Sequence, residues 1–260
     1  MENIKYTIIS IATGSRYLRY WQDLVVSLNK YVLEPERIRL IILTDKRKEA
    51  TEFCKSQKLN TEIVEIPPYK WPEATLLRYQ EIYKVKHLIN TDFCIYLDAD
   101  MLVLANLPSI LTPKSWINGI ALVLHPGYWR PKGLKLMKYY FSNPRKLASD
   151  LKLKLLNGGL GAWEKNPQSH AFVHRAKRRH YVCGGAWFGA TEAFFQMVEY
   201  CQQNVRLDLE QNYIAIWHDE SHLNKWSIEN NSSLLPPSFC YDPDYSNLRA
   251  IPEYIRAIKK

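Results

Sequence analysis

Short apolar runs that end in acids or turns, each followed by residues at helical spacing, fill the chain to about residue 105, and this alternation constrains the fold most. YTIISIA (6–12) is short and β-branched. In the stretch after it, TGSRYLRYWQDLVVSLNKYV, the residues Leu18, Trp21, Leu24, Val25 and Leu28 recur once per helical turn. RIRLIILTD (37–45) reads as a buried strand ending in an acid, and TEIVEI (61–66) as a half-exposed strand. Residues 73–88 read as a helix that starts after the Trp71-Pro72 break. DFCIYLDAD then supplies the next strand. Strand and helix in turn predict an α/β fold, a mostly parallel central sheet covered by helices and joined by right-handed crossovers. Ligands of such sheets collect at the carboxyl ends of the strands.

Beyond residue 105 the pattern loosens. GIALVLHP (119–126) is strand-like, and 129–165 is a basic stretch with Gly and Asn that reads as an insertion or lid. YVCGGAWFGA (181–190) is small and aromatic and leads into a helix from about Glu192, and AIWHDESHLNKW (215–226) lies on a second helical stretch. No internal repeat or linker divides the chain, and 47 % apolar residues supply the core of a single domain, 1–260. No apolar run approaches the ~18 residues of a membrane span, and the first residues read as a strand, not a signal. The five cysteines are odd in number and form no CxxC pair, so we expect reduced thiols in a soluble, cytoplasmic protein. The excess of 35 Lys and Arg over 26 Asp and Glu attracts polyanions in general, but no basic cluster sits in a nucleic-acid module, so no specific nucleic-acid partner is expected.

Three stretches carry chemistry. In CIYLDADM, an apolar strand runs into Asp98 and Asp100. Two residues apart on extended backbone, these acids share a face and can present oxygen to one hard cation, Mn²⁺ or Mg²⁺, or else they end the strand as two solvated turn acids. In WHDESH (217–222), His218 and His222 are four apart, as a zinc pair on a helix would be. Alternatively, an acid beside Trp217 faces a sugar and stabilises a cationic anomeric carbon. In CGGAWFGA, the glycines let backbone approach a ligand, or else mark a tight crossing in the core.

Taken together, LDADM, CGGAWFGA and AIWHDESHLNKW resemble glycosyltransferase family 6, the retaining α-1,3-galactosyl- and N-acetylgalactosaminyltransferases that include the histo-blood-group A and B enzymes. Further matches keep the family's order over most of the chain: RYLRYWQDLVVSLNKY, YKWPEATLLRYQ, LHPGYW, NPQSHAF and LLPPSFCYD. The resemblance implies a GT-A fold, with residues 1–105 as a Rossmann-like nucleotide-binding half. Residues 106–260 then form the acceptor-binding and catalytic half, with an insertion near 130–157. It also implies a UDP-sugar donor, a galactose-terminated acceptor, and Mn²⁺ (or Mg²⁺) on Asp98 and Asp100. Carried over residue by residue, the donor side is Ile11, Ala12, Thr13, Tyr17, Arg78, Ala99, Gly184, Gly185, Ala186 and Asp219. Glu220 takes the place of the nucleophile or charge stabiliser, and His125, Trp217, His218 and Asp242 fall on the acceptor side. Arg256, Lys259 and Lys260 stand near the phosphates.

This chain departs from the family in its longer 130–157 segment, in Ala162 where an acceptor-binding hydroxyl is often found, and in its early C-terminus. It keeps both acids of the DxD motif, unlike the metal-free bacterial relatives with NxN, and lacks the mammalian anchor, as expected of a microbial or viral enzyme. Its triplet Gly184-Gly185-Ala186 resembles the Forssman-type enzymes, which points to UDP-GalNAc over UDP-Gal. The contrasting class is a basic, non-catalytic glycan- or nucleic-acid-binding protein.

Overall fold

A computed structural model describes residues 4–259. The chain runs β1 (Tyr6–Ala12), α1 (Gly14–Tyr31), β2 (Ile38–Thr44), α2 (Arg47–Cys54), β3 (Asn60–Glu65), α3 (Glu73–Leu76), α4 (Arg78–Lys84) and β4 (Phe93–Leu97). There follow β5 (Met101–Val103), α5 (Leu107–Ile110), β6 (Ile120–Leu124), α6 (Leu134–Ser142) and α7 (Pro144–Asn157). The last elements are β7 (Val182–Ala190), α8 (Thr191–Glu210), α9 (His218–Glu229), β8 (Ser233–Leu235) and β9 (Ile255–Ala257). Seven strands form one sheet in the order β3-β2-β1-β4-β7-β6-β8, and β5 pairs with β9 in a separate ribbon. The sheet is mostly parallel, with β7 antiparallel to both its neighbours.

Both faces are covered, as the unbroken apolar strands predict. On one face Tyr6, Ile8, Ile95 and Leu97 pack with Leu18, Trp21, Leu24, Val25 and Leu28 of α1. On the other, Ile9, Tyr96 and Trp187 meet Tyr79 and Ile82 of α4 and the Phe194 to Val198 turn of α8. Truncating a fully buried ring such as Trp21 would cost about 3–5 kcal/mol. Among the described residues no helix is long and apolar enough to cross a membrane.

The one reversed strand positions the site. Because β7 runs against β4, its entry, Cys183 to Ala186, lies beside the exit of β4: Leu97 pairs with Ala186, and the Asp98 N–H donates to the Gly185 carbonyl at 2.9 Å. The two glycines and the two acids thus meet at one edge of the sheet.

Two expectations are corrected, and one segment gains an internal structure. Asp98 to Asp100 is a turn closed by the Met101 N–H on the Asp98 carbonyl, not extended backbone, so the acids share a cavity through the turn and not through strand alternation. Residues 73–88 are not one helix: Leu77 (φ −91°, ψ 4°) divides α3 from α4, and a 3-10 turn ends the segment. Residues 130–157 hold a hairpin of two helices, α6 and α7, joined through Asn143.

Candidate active site

Tyr96 and Asp98 stand two apart where β4 ends, and the Tyr96 hydroxyl donates to Asp98 Oδ1 at 2.8 Å. Arg78, the first residue of α4, lies with its guanidinium 5.0 Å above the Tyr96 ring and reaches the same Oδ1 at 3.1 Å. Its Nη1 contacts Asp219 Oδ2 at 2.9 Å and donates to the Gly184 carbonyl at 2.9 Å. Burial alone would drive the guanidinium toward neutrality, but Asp219 and Asp98 outweigh it and hold Arg78 firmly charged. One buried cation therefore joins β4, β7 and α9, segments that lie far apart in sequence.

Helix α9 is fixed to β7 by Asn224, whose side chain accepts from the Val182 N–H and donates to the Val182 carbonyl, both at 2.8 Å. One turn earlier, Glu220 Oε2 accepts the Gly184 N–H at 2.8 Å. Burial pushes Glu220 up to about 7, with the Gly184 N–H and the Tyr181 hydroxyl pulling the other way. Burial also pushes Asp219 up to about 7, against the pull of Arg78 and with the charge of Asp98 and Glu220. Such values belong to acids poised at neutral pH. Glycine at 184 suits a crowded place: a Cβ there would stand 3.3 Å from Asp219 Oδ2 and 3.4 Å from Glu220 Cβ, so those side chains would have to give slightly. At 185 a Cβ would lie 2.6 Å from Met101 Cε and 3.1 Å from Asp98 Oδ2.

Three adjoining cavities share Asp98. One of about 330 Å³ is walled by Ile11, Thr13, Tyr17, Arg78, Ala99 and Asp100, with Trp71 at its rim. A second, about 440 Å³, has His125, Gly185, Glu220, Asp242, Lys259 and again Asp100 in its wall. The third, about 520 Å³, is lined by Arg78, Gly184, Trp217, His218, Asp219 and Glu220, with Tyr128 and Ala162 opposite. His125 is held neutral, its pKa lowered to about 4 by burial. Its Nδ1 accepts the Gly127 N–H at 3.0 Å, which leaves Nε2 as the ring donor.

Some candidates stand apart from these walls. Ala12 and Ala186 are wholly buried in the core, so they shape the cavities only through the strands they belong to. Arg256 pairs with Glu253 at 3.2 Å and does not line the cleft, whereas Lys259, three residues on, does. Lys260 lies outside the described residues. The zinc pairing fails because His218 sits at φ 44°, before the regular turns of α9, and faces Trp71 and Thr75. His222 is buried elsewhere, 3.6 Å from Asp208. Sequence reasoning missed Tyr96, Trp71 and Asn224. The i, i+2 spacing of Tyr96 to Asp98 was a usable signal, while an Asn inside a helix gives none.

A divalent cation suits the turn. Asp98 and Asp100 both open on the first two cavities, and the described residues of the second hold five carboxylates, Asp98, Asp100, Glu220, Asp242 and Asp244, against one cation, Lys259. Such an imbalance of hard oxygen donors favours Mn²⁺ or Mg²⁺. Among the described residues no group of three or more His, Cys, Asp or Glu is arranged to hold a metal, so a ligand and water would complete the shell.

Comparison with known proteins points to a family. A family model described as Glycosyltransferase family 6 matches residues 160–260, which contain Gly184, Asp219 and Glu220. Over 92 % of this chain and 88 % of its own length, the O-antigen biosynthesis glycosyltransferase WbnI of Escherichia coli is 23 % identical. The globoside alpha-1,3-N-acetylgalactosaminyltransferase 1 of Gallus gallus is 22 % identical over 92 % of this chain and 62 % of its own. Over a shorter stretch, 31 % of this chain and 23 % of the relative, identity to the histo-blood group ABO system transferase 1 of Rattus norvegicus is 31 %. The mostly parallel, helix-covered sheet is consistent with the GT-A fold, and these matches support glycosyltransferase family 6, whose model covers residues 160–260 of this chain.

Proposed function

We propose that the protein moves GalNAc, with Gal as the alternative sugar, from a UDP-sugar in α-1,3 linkage to a galactose-terminated acceptor, with retention at the anomeric carbon. The names of its relatives, an alpha-1,3-N-acetylgalactosaminyltransferase and an alpha-1,3-galactosyltransferase, support the linkage and the choice of sugars. The observation that carries the proposal is the Arg78 bridge, which sets the acids at the end of β4 and the acids of α9 around one space.

In this scheme the uridine lies among Ile11, Thr13 and Tyr17, and the diphosphate lies toward Asp98, Asp100 and Lys259. Mn²⁺ or Mg²⁺, held by Asp98 and Asp100, would neutralise charge on the departing diphosphate. Arg78 and Asp219 orient the sugar over Glu220. The bond from the anomeric carbon to the phosphate oxygen breaks and its electron pair leaves with UDP. The Glu220 carboxylate meets the developing positive charge, either by bonding to that carbon or by pairing with it. The acceptor oxygen forms the new bond on the face the phosphate left, any bond to Glu220 breaks with its electron pair returning to the carboxylate, and the acceptor proton goes to the diphosphate. Gly184 and Gly185 leave room for the acetamido group beside the strand, which favours UDP-GalNAc.

The test is UDP release from UDP-GalNAc, UDP-Gal and other UDP-sugars, with Mn²⁺ or with chelator, in the presence of a galactose-terminated acceptor. Release from a galacto-configured donor that chelator abolishes is the expected result. Release from neither galacto donor overturns the donor assignment, and undiminished release in chelator removes the metal.

A further inference from the structure

The hairpin of α6 and α7 presents apolar side chains to solvent in a helical register. On α6, Leu134, Met137 and Phe141 follow i, i+3, i+7, and Phe141 is 92 % exposed and Leu134 76 %. On α7, Leu147, Leu151 and Leu155 follow i, i+4, i+8, with Leu155 71 % exposed. Stripes at this spacing normally face a core, and here none of the described residues covers them.

The hairpin is not loose. Arg130 clamps its base through both nitrogens to Asp150, at 2.5 and 2.8 Å, and Tyr140 of α6 donates to the same carboxylate at 2.9 Å. Arg178 donates to the carbonyl of Asn157 at 2.7 Å, and Arg175 to that of Leu155. A fold that fixes a helix pair at its root and leaves its outer stripes bare has built them for a partner.

Charge identifies that partner. Residues 130–157 hold eight Lys and Arg against one carboxylate, Asp150, which is +7 of the chain's net +9. Exposed Lys135, Lys138, Arg145, Lys152 and Lys154 stand on the same helices as the apolar stripes. A second copy of the hairpin would bring +7 against +7. A nucleic acid would satisfy the lysines and gain nothing from Phe141 or Leu151. An anionic bilayer satisfies both, with apolar side chains entering about 5–10 Å and lysines at the headgroups. We propose that α6 and α7 dock the protein on an anionic phospholipid surface. The segment departs from the wall of the 520 Å³ cavity after Tyr128 and returns to it before Ala162, so docking holds that cavity close to the bilayer. The proposal is independent of the donor sugar and of catalysis.

Flotation of the full chain with phosphatidylcholine vesicles, with and without phosphatidylglycerol, tests it. The native protein should float with the anionic vesicles and stay largely free with the zwitterionic ones. The variant Phe141→Asn/Leu151→Gln/Leu155→Gln should lower the bound fraction about tenfold or more. Charge reversal, Lys138→Glu/Lys152→Glu, should do the same on anionic vesicles only, by about tenfold. The reversal alters exposed side chains alone, so it decides the matter even where the apolar triple variant misfolds. Equal binding to both vesicles, no binding, or variants that float like the native protein would overturn the proposal. So would a native dimer in sedimentation that the triple variant converts to monomer.

Discussion

Asp219 and Asp150 are both buried carboxylates against a buried arginine, yet their protonation is pushed in opposite directions. Asp150 has Arg130 to itself, with Tyr140 and Lys146 in support; burial works to raise its pKa and the Arg130 hydrogen bonds outweigh it, so the group sits below its ordinary range. Asp219 shares Arg78 with Asp98 and has Glu220 beside it, so burial prevails and it rises to about 7. One arginine per acid builds a structural clamp. One arginine for a cluster of acids leaves excess negative charge, which a cation or the oxocarbenium-like centre of a sugar can satisfy.

Removing the acid at the centre of the surplus should have the largest effect. Glu220→Gln keeps an acceptor for the Gly184 N–H and removes the charge, and should lower transfer by about a thousandfold or more while UDP still binds. Steady-state kinetics with calorimetric UDP binding checks it, and near-normal turnover would remove Glu220 from its role.

Next comes the shared arginine. Arg78→Met leaves Asp98 and Asp219 without their cation inside the protein and should cost about 3–5 kcal/mol of global stability in urea unfolding. The matching change at the clamp, Asp150→Asn, should act locally. Amide exchange in α6 and α7 should accelerate by about tenfold or more, while the global urea midpoint moves little. Equal global losses in the two variants would mean that the hairpin belongs to the cooperative core.

The two regions also differed in how far the sequence disclosed them. β1, β2, β4 and α1 were legible because burial on both faces of a sheet writes an apolar run and burial on one face of a helix writes a 3.6 period, and β3 because a half-exposed strand alternates. Asp98, Asp100 and Glu220 stood out as acids in apolar or motif-bearing contexts. The Arg78 bridge was beyond pattern reasoning, since it joins residues 78, 98, 184 and 219 through long-range pairing that no local period encodes. The turn at Asp98 to Asp100 was hidden for a related reason: Gly185, across the sheet, fixes where β4 ends. At 130–157 a helical period was present, but its stripes face solvent, so the usual inference from periodicity to core did not apply.

The smallest effect separates the two kinds of carboxylate by pH. Glu220 ordinarily titrates at 4.5 and is raised to about 7 in the fold, so the folded state holds its proton more tightly than the unfolded chain does. Its contribution to stability is therefore complete below about 4.5 and is lost as pH rises through 7. At about 1.4 kcal/mol per pKa unit, less the screening by the open cavity, the loss is roughly 1–2 kcal/mol. Glu220→Gln should accordingly exceed the native protein in stability by that amount at pH 8 and match it at pH 5, read as the difference in urea unfolding free energies. Asp150 has the opposite sign: its lowered pKa stabilises the hairpin above the ordinary carboxylate range and the gain disappears in acid. Amide exchange in α6 and α7 should thus quicken in acid beyond the intrinsic trend, where the active-site acids are at their most comfortable. A Glu220→Gln advantage that is the same at both pH values would show that the carboxylate is not held against its ionisation, and the contrast with Asp150 would vanish.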